Sequence, residues 1–335
     1  MKKKIEITTI IAATSLLAML GLVYCWVYSE PYYADTLGPH WAFWRQLIWN
    51  AIGVSAFVLA SRVKWARWEK AGPFVLGGWM VAMFATIFWG QPSDAGLMLH
   101  VGALALDVMS VLPFVVALFL AWWMRQTKWR FCMLPFLMGI ASGFMIAVAI
   151  ATHPNRLLRV LVWLPDCVGQ WFGVDTTALA AGMESPVSEA ARYVLTQMKA
   201  AFAGAHWFSS GNVESLRNLP GCLTYSMTCA SSVVLGYWFL LLVGLLFVAL
   251  GIACASYWCT VADTPKRTFV LFAALGVVGS AFWGIGECFE VMPMRYTCVP
   301  LVAYGGTKVV LTWMTIGVLV SLFRDEDDGR DKRGR

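Results

Sequence analysis

Charged residues are scarce in this chain. They make up 13% of its 335 residues, about half the roughly 25% usual in soluble domains. Hydrophobic residues make up 59%, a balance that argues against a soluble protein and for an integral membrane protein. Metal and redox patterns are also missing. The nine cysteines form no C-x-x-C pair, and His40, His100, His153 and His206 show no ligand spacing, so they are expected at the membrane interface. No internal repeat or low-complexity linker divides the sequence. The expectation is one transmembrane domain over 1–324 and a charged, solvated tail over 325–335.

Long apolar runs are abundant. Runs near the roughly 20-residue length that crosses a bilayer fall at about 6–27, 43–61, 73–90, 101–124, 131–152, 223–257, 268–289 and 299–323. They predict an all-α polytopic bundle of about eight transmembrane helices. Basic residues mark alternate connections: Lys2–Lys4, then Arg62, Lys64, Arg67 and Lys70, then Arg125, Lys128 and Arg130, then Lys266 and Arg267, and finally the tail. The positive-inside rule therefore predicts a multi-pass membrane protein with both termini cytoplasmic. The net charge of +6 is accounted for in this way and needs no nucleic acid. The basic start resembles a signal peptide, but its apolar run is too long and lacks a small-x-small cleavage site, so it reads as a retained first helix.

The long connection over 153–222 is expected to be a large outer loop. Within it, Ser185-Pro186 looks like an N-cap and first helical residue. Val187, Ala191, Val194, Met198, Ala201, Phe202 and Ala205 then recur at helical spacing. This amphipathic helix either lies on the membrane, with Arg192 and Lys199 toward phosphate-rich lipid, or packs against neighbouring helices. Many of the 18 tryptophans, Trp26, Trp65 and Trp207 among them, fall near helix ends and read as interfacial anchors. Cys167, Cys222 and Cys298 face the outer side, where two of them could pair.

Four segments carry a resemblance. Residues 43–73 begin FWRQLIWN, with Arg45-Gln46 at the start of a helix that leads to a basic loop. Residues 128–165 end in NRLLRVLVWLP, with Arg156 and Arg159 at two arginine positions. Residues 197–211 offer Gln197, Ala201 and Gly211. Met292-Pro293, followed by VPLVAYGGT over 299–307, is the most specific. These segments resemble the SEDS family of FtsW-, RodA- and SpoVE-like membrane proteins, peptidoglycan glycosyltransferases of cell division and cell shape. The resemblance implies a SEDS-like bundle with one hairpin fewer than the family's ten helices, and lipid II or a related undecaprenyl-linked precursor as ligand. Its implied partners are a single-pass transpeptidase (a penicillin-binding protein) and other divisome or elongasome proteins. Arg156, Arg159, Gln197, Tyr304, Gly305, Gly306 and Lys308 are the residues it implies for substrate binding.

The departures from the family pattern are chemical. LPGCLTYSMTCASSVVLG over 219–236 is similar to the stretch holding the family's catalytic aspartate, but Tyr225 stands at that position. Val233 and Val234 stand at a glutamate pair. A buried glutamate and a lysine are matched by Ser110 and Pro113, an Arg-Trp pair by Leu97 and Met98, and a Q-A-x-x-N by residues 280–284, which begin with Ser280 and include Trp283. Polymerisation needs a general base to activate the acceptor hydroxyl. The resemblance would add a divalent cation such as Mg2+ if the chain is active; otherwise no cofactor is expected. Tyrosine, with a pKa of about 10, is a poor base at neutral pH. The fallback acids are Glu214 and Asp107. For Glu214, as for Asp166, Asp175, Glu184, Glu189, Glu287 and Glu290, the plain reading is a solvated carboxylate. Three functions follow: a catalytically depleted scaffold, regulator or precursor binder; an active glycosyltransferase with a relocated acid; and a flippase for a lipid-linked sugar, which the few intramembrane charges favour least.

Overall fold

The computed structural model describes residues 2–38, 40–93, 96–101, 104–126, 136–144, 147, 186–208, 216, 218–293 and 296–331. In chain order the helices are α1 (Lys2–Leu37), α2 (Trp41–Arg62), α3 (Trp65–Trp89) and α4 (Leu112–Met124). They are followed by α5 (Pro186–Ala203), α6 (Met227–Val234), α7 (Tyr237–Thr260), α8 (Thr264–Ala274), α9 (Ser280–Cys288) and α10 (Gly306–Asp331). Between α3 and α4 lies an antiparallel meander of β1 (Gln91–Ser93), β2 (Gly96–Val101) and β3 (Leu104–Leu106). Its register pairs Gln91 with Met98 and His100 with Ala105.

Among the described residues, five helical segments are long and apolar enough to cross a membrane: Ile5–Tyr28, Trp65–Trp89, Tyr237–Thr260, Thr264–Cys288 and Gly306–Asp325. Along α7, Phe239, Val243, Phe247, Leu250 and Cys254 are buried, while Leu241, Leu245, Val248 and Ile252 are exposed. A helix that is apolar on its outward face as well as its inward one suits lipid, not water. The chain is a polytopic helical membrane protein.

Three expected spans have different bounds. The run at 101–124 divides: residues up to Leu106 complete the sheet, a 3-10 turn covers Met109–Val111, and α4 starts at Leu112 with Pro113 in its first turn. Short apolar stretches such as LMLHV and LAL do not distinguish strand from helix by pattern alone. The run at 223–257 is broken at Gly236, whose φ is 97°. A Cβ there would meet the Trp207 carbonyl oxygen at 2.4 Å, so only glycine fits and α6 and α7 are separate helices. The third helix begins eight residues before Pro73, at Trp65. Its first N–H donates to Asp325 Oδ2 at 2.6 Å, so the first residue of the expected solvated tail caps α3. Of the run at 131–152, residues 136–144 are helical and most of the rest lies outside the described residues.

The amphipathic helix of the long connection is α5. Val194, Met198 and Ala201 are buried in the main core, and Cys229 of α6 donates to the Met198 carbonyl at 3.3 Å. The face expected to meet lipid or neighbours therefore meets neighbours. Lys199 pairs with Glu290 at 2.9 Å, so Glu290 is not a solvated carboxylate and Lys199 is engaged by protein. Trp65 is also no interfacial anchor: it is buried against Phe269, with ring centroids 5.2 Å apart. Cys222 and Cys298 are both free thiols, and Cys167 lies outside the described residues.

The basic positions Arg62, Lys64, Arg67, Lys70, Arg125, Lys266, Arg267 and Arg324 all fall at the ends of helices opposite the sheet. One three-way contact fastens that end. Arg125, just after α4, donates to Glu69 of α3 through Nε at 2.7 Å and Nη2 at 3.1 Å, and to Asp263 before α8 at 2.9 Å. A bidentate guanidinium–carboxylate pair is among the stronger polar contacts. Arg125→Ala strands Glu69, whose side chain is 10% exposed. Because Arg125 is itself half exposed, the expected loss is about 1–2 kcal/mol, read as a lower midpoint of thermal unfolding in detergent. An unchanged midpoint rules out this role.

Candidate functional site

The segment leading into α10 leaves helical geometry. Leu301 has φ 66°, and 301–305 runs past α2 before Gly306 starts the helix. Gln46, fully buried on α2, holds that segment. Its Nε2 donates to the Leu301 carbonyl at 3.4 Å and the Ala303 carbonyl at 3.2 Å, and its Oε1 accepts from Gly305 N–H at 3.4 Å. Tyr304 N–H donates to the Leu223 carbonyl at 2.7 Å. Gly306 is required by close approach: a Cβ there would meet the Trp49 ring at 2.3 Å. One turn along α2, Asn50 continues the seam, with Trp313 Nε1 of α10 donating to its Oδ1 at 3.0 Å.

The facing wall is built by α4, the α8–α9 junction and the loop before α10. Leu275–Gly279 is a π-helical turn, a feature that often marks functional sites. A Cβ at Gly276 would approach the Pro113 side chain to 2.7 Å, so the π-helical turn packs against the start of α4 only because position 276 carries no side chain. Asp107 follows the sheet, and its carboxylate accepts from the Ser110 N–H at 3.3 Å and from the Ser110 hydroxyl. Glu287, 2% exposed, accepts the Thr297 N–H at 3.0 Å. It is a buried backbone anchor, which corrects its reading as a solvated helix-end carboxylate. Tyr225 and Tyr296 stack with centroids 4.0 Å apart and planes at 23°.

These walls enclose a cavity of about 750 Å³ at the sheet-bearing end of the bundle. Of the residues singled out from sequence, Tyr225, Asp107, Tyr304, Gly305, Gly306 and Lys308 all line it. So do Trp283 and Met98, Ser110, Pro113 and Ser280, the last four of which the resemblance sets against other residues of the family pattern. Val233 is buried elsewhere, and Gln197, half-buried on α5, does not line the cavity. Arg156, Arg159 and Glu214 lie outside the described residues. Sequence reasoning missed Gln46 and Glu287 as anchors of the cavity walls. For Gln46 the signal was present, an amide in an apolar helix beside Arg45, because a buried polar group implies a partner.

Three ionised side chains line the cavity. Arg45 sits 5.0 Å from the Trp41 ring centroid, Lys308 Nζ donates to the Cys298 carbonyl, and Asp107 is the only carboxylate among the described lining residues. Burial pushes the Tyr304 hydroxyl above its ordinary value, with Arg45 opposing the shift. Among the described lining residues a divalent cation would find one carboxylate, Asp107, whose two oxygens each accept a hydrogen bond from Ser110, and no group of three His, Cys, Asp or Glu side chains. Burial also pushes the Cys298 thiol up to about 11, with Lys308 opposing and Asp107 adding to the shift. Its alkylation rate is therefore expected to keep rising above about pH 9, where an ordinary thiol levels off. Gln46→Ala frees 301–305 and should accelerate the reaction at fixed pH, followed by mass spectrometry of the Cys298 peptide. A rate indifferent to the substitution would mean that Gln46 does not hold this wall.

No family model matches the chain. It is 25% identical to a probable peptidoglycan glycosyltransferase FtsW of Halorhodospira halophila, across 93% of this chain and 88% of that protein. It is 22% identical to a probable peptidoglycan glycosyltransferase FtsW of Aeromonas salmonicida, across 81% and 78%. Its fold is similar to a chain of a peptidoglycan synthase complex solved to describe the coordination of polymerization and crosslinking, with a TM-score of 0.68 and 16% identity over 94% and 97% of the two chains. It is also similar to the rod shape determining protein RodA of Thermus thermophilus, with a TM-score of 0.62 and 15% identity over 94% and 96%. Sequence and fold thus agree over nearly the whole length, and the Tyr304-Gly305-Gly306 motif lies on the wall of the cavity. In sequence and in fold the chain is thus similar, at low identity, to FtsW- and RodA-type proteins of the SEDS family.

Proposed function

We propose that this protein serves bacterial cell-wall synthesis by holding a lipid-linked peptidoglycan precursor in its cavity, as a scaffold or regulator and not as a polymerase. The relatives named as peptidoglycan glycosyltransferases support the process. One observation carries the distinction: five of the positions that the resemblance sets against other residues of the family pattern line a single cavity, while Val233 and Val234 do not. Tyr225, Ser110, Pro113, Met98 and Ser280 all face the same space. Joining two saccharides needs a base to take the acceptor's proton, a contribution of about 10²–10⁴-fold. Tyr225 is buried in a stack with Tyr296, and a buried phenol does not take up that task at neutral pH. The cavity lies at the end opposite the basic residues, which supports a position on the outer side of the inner membrane. The implied partner is a single-pass transpeptidase, consistent with the fold's similarity to a chain of a synthase complex.

A second reading rests on Asp107, which lines the same cavity as Tyr225: a relocated acid in an active polymerase. One experiment separates the two. Purified protein is given lipid II, alone and with a single-pass transpeptidase, and both retained precursor and glycan chains are measured. The expected outcome is retention without chains. Chains that form with the native protein and fall about 10²–10⁴-fold in Asp107→Asn would establish the second reading and overturn the first.

A further inference from the structure

The charges at the basic end of the bundle are unevenly used. Four acids stand there up to residue 325, and each is engaged inside the protein. Glu69 and Asp263 both bind Arg125, Asp325 accepts the Trp65 N–H, and Glu6, buried on α1, accepts from the Ser256 hydroxyl. Of the cations, Arg125 is taken by its two carboxylates, Arg267 lies 4.4 Å from the Trp258 ring centroid and Lys266 is half-buried. Arg62, Lys64, Arg67, Lys70 and Arg324 are exposed, and their side chains make no hydrogen bond or ion pair with other described residues. Residues 326–335 carry four acidic and four basic side chains, which leave the balance as it is. Lys2–Lys4, Lys128 and Arg130 add to the positive side.

Hydrogen bonds gather these cations on one surface. Arg125 ties α3 at Glu69 to the start of α8 at Asp263, and Asp325 ties the end of α10, with Arg324, to the start of α3. On α3, Arg67, Phe74, Val81 and Phe88 recur every seven residues, with Lys70 one turn beyond Arg67, and all five are exposed. Residues at that spacing share a helix face. The face carries cations over its first two turns and large apolar side chains beyond them, Phe74 being 81% and Val81 71% exposed. The Trp65–Trp89 span is 28% buried, the lowest share of the five apolar spans, so it has the largest outward-facing share. A phospholipid has the same order of parts, a phosphate at the interface and acyl chains along apolar helix surface. Arginine's planar fork and lysine's ammonium both suit phosphate. The sign of the surface then selects the headgroup. Choline or ethanolamine would bring an ammonium against these cations, whereas a glycerol headgroup leaves the phosphate charge unopposed.

We propose that Arg67 and Lys70, supported by Arg62, Lys64 and Arg324, bind the headgroup of an anionic phospholipid whose acyl chains lie along the outward face of α3. This site is distinct from the cavity and does not depend on what the cavity holds. The full chain in detergent is titrated with phosphatidylglycerol and with phosphatidylcholine of the same acyl chains, and bound lipid is counted by native mass spectrometry. Phosphatidylglycerol is expected to bind more tightly, and to lose that advantage as salt rises. One basic residue near a membrane surface changes affinity roughly 5-fold, so the double variant Arg67→Gln, Lys70→Gln should weaken phosphatidylglycerol binding about 30-fold. A triple variant Lys2→Gln, Lys3→Gln, Lys4→Gln and a deletion of residues 326–335 should each weaken it less than that pair. Equal binding of the two lipids overturns the proposal, and so does native-like binding by the folded double variant. A loss in the triple variant or the deletion as large as in the double variant overturns the placement on α3. Glycerol phosphate that displaces the lipid at equal concentration would make this a site for soluble phosphate, and a poly-glutamate peptide that binds in preference to phosphatidylglycerol would assign it to an acidic protein segment; either result overturns the lipid site. The comparison of the two lipids needs no variant, so the test survives if a variant does not fold.

Discussion

Backbone that leaves helical geometry inside an apolar bundle must find hydrogen-bond partners, because no water is there to supply them. Gln46 meets that requirement for 301–305. One side-chain amide offers two donors and an acceptor, and here both kinds are used, on the Leu301 and Ala303 carbonyls and the Gly305 N–H. A hydrophobic residue at position 46 would leave three backbone groups unmet, each at a cost of about 1–3 kcal/mol. The cavity depends on this arrangement, because a helix continued through 301–305 would aim Tyr304 and Lys308 in other directions. The amide thus converts a break in the helix into a fixed wall.

The other wall obeys the same constraint through a charge. Glu287 is nearly inaccessible and accepts the Thr297 N–H, holding the loop that presents Tyr296 and Cys298 to the cavity. Tyr296, Glu290 and Leu301 all have φ near +60°, a region that costs a non-glycine residue about 1–3 kcal/mol. Each is held by specific contacts: Tyr296 by the stack with Tyr225, Glu290 by Lys199, and Leu301 by Gln46. Conformations of this kind persist where the surroundings over-determine them, and they cluster at functional sites. Tyr296 lines the cavity and Leu301 lies between its lining residues Val299 and Ala303, a physical reason, separate from any family likeness, to place the function there.

Most of the bundle was legible in the sequence because membrane helices announce themselves by length and apolarity, and α1, α7, the α8–α9 helix and α10 fall close to where the apolar runs lie. What was not legible follows from contacts distant in sequence. The start of α3 is set by Asp325, 260 positions away. The sheet before α4 is built from apolar stretches too short to differ in pattern from a helix. The break at Gly236 depends on the Trp207 backbone. At the site, the motif at Tyr304–Gly306 and the substitution at Tyr225 could be read directly. The burial of Glu287 could not, because a carboxylate at a helix end has the same sequence signature whether it is solvated or anchoring backbone.

The replacement at position 225 therefore alters more than one proton transfer. A carboxylate there would offset one of the two cations and supply a second anionic oxygen donor beside Asp107. With a phenol stacked on Tyr296, the cavity's ionised residues sum to one positive charge among the described lining. Coulomb energy between these lining charges then favours an anion over a cation in a space where screening is weak, and on the reading proposed above the change of charge that removes a base would also favour a negatively charged ligand.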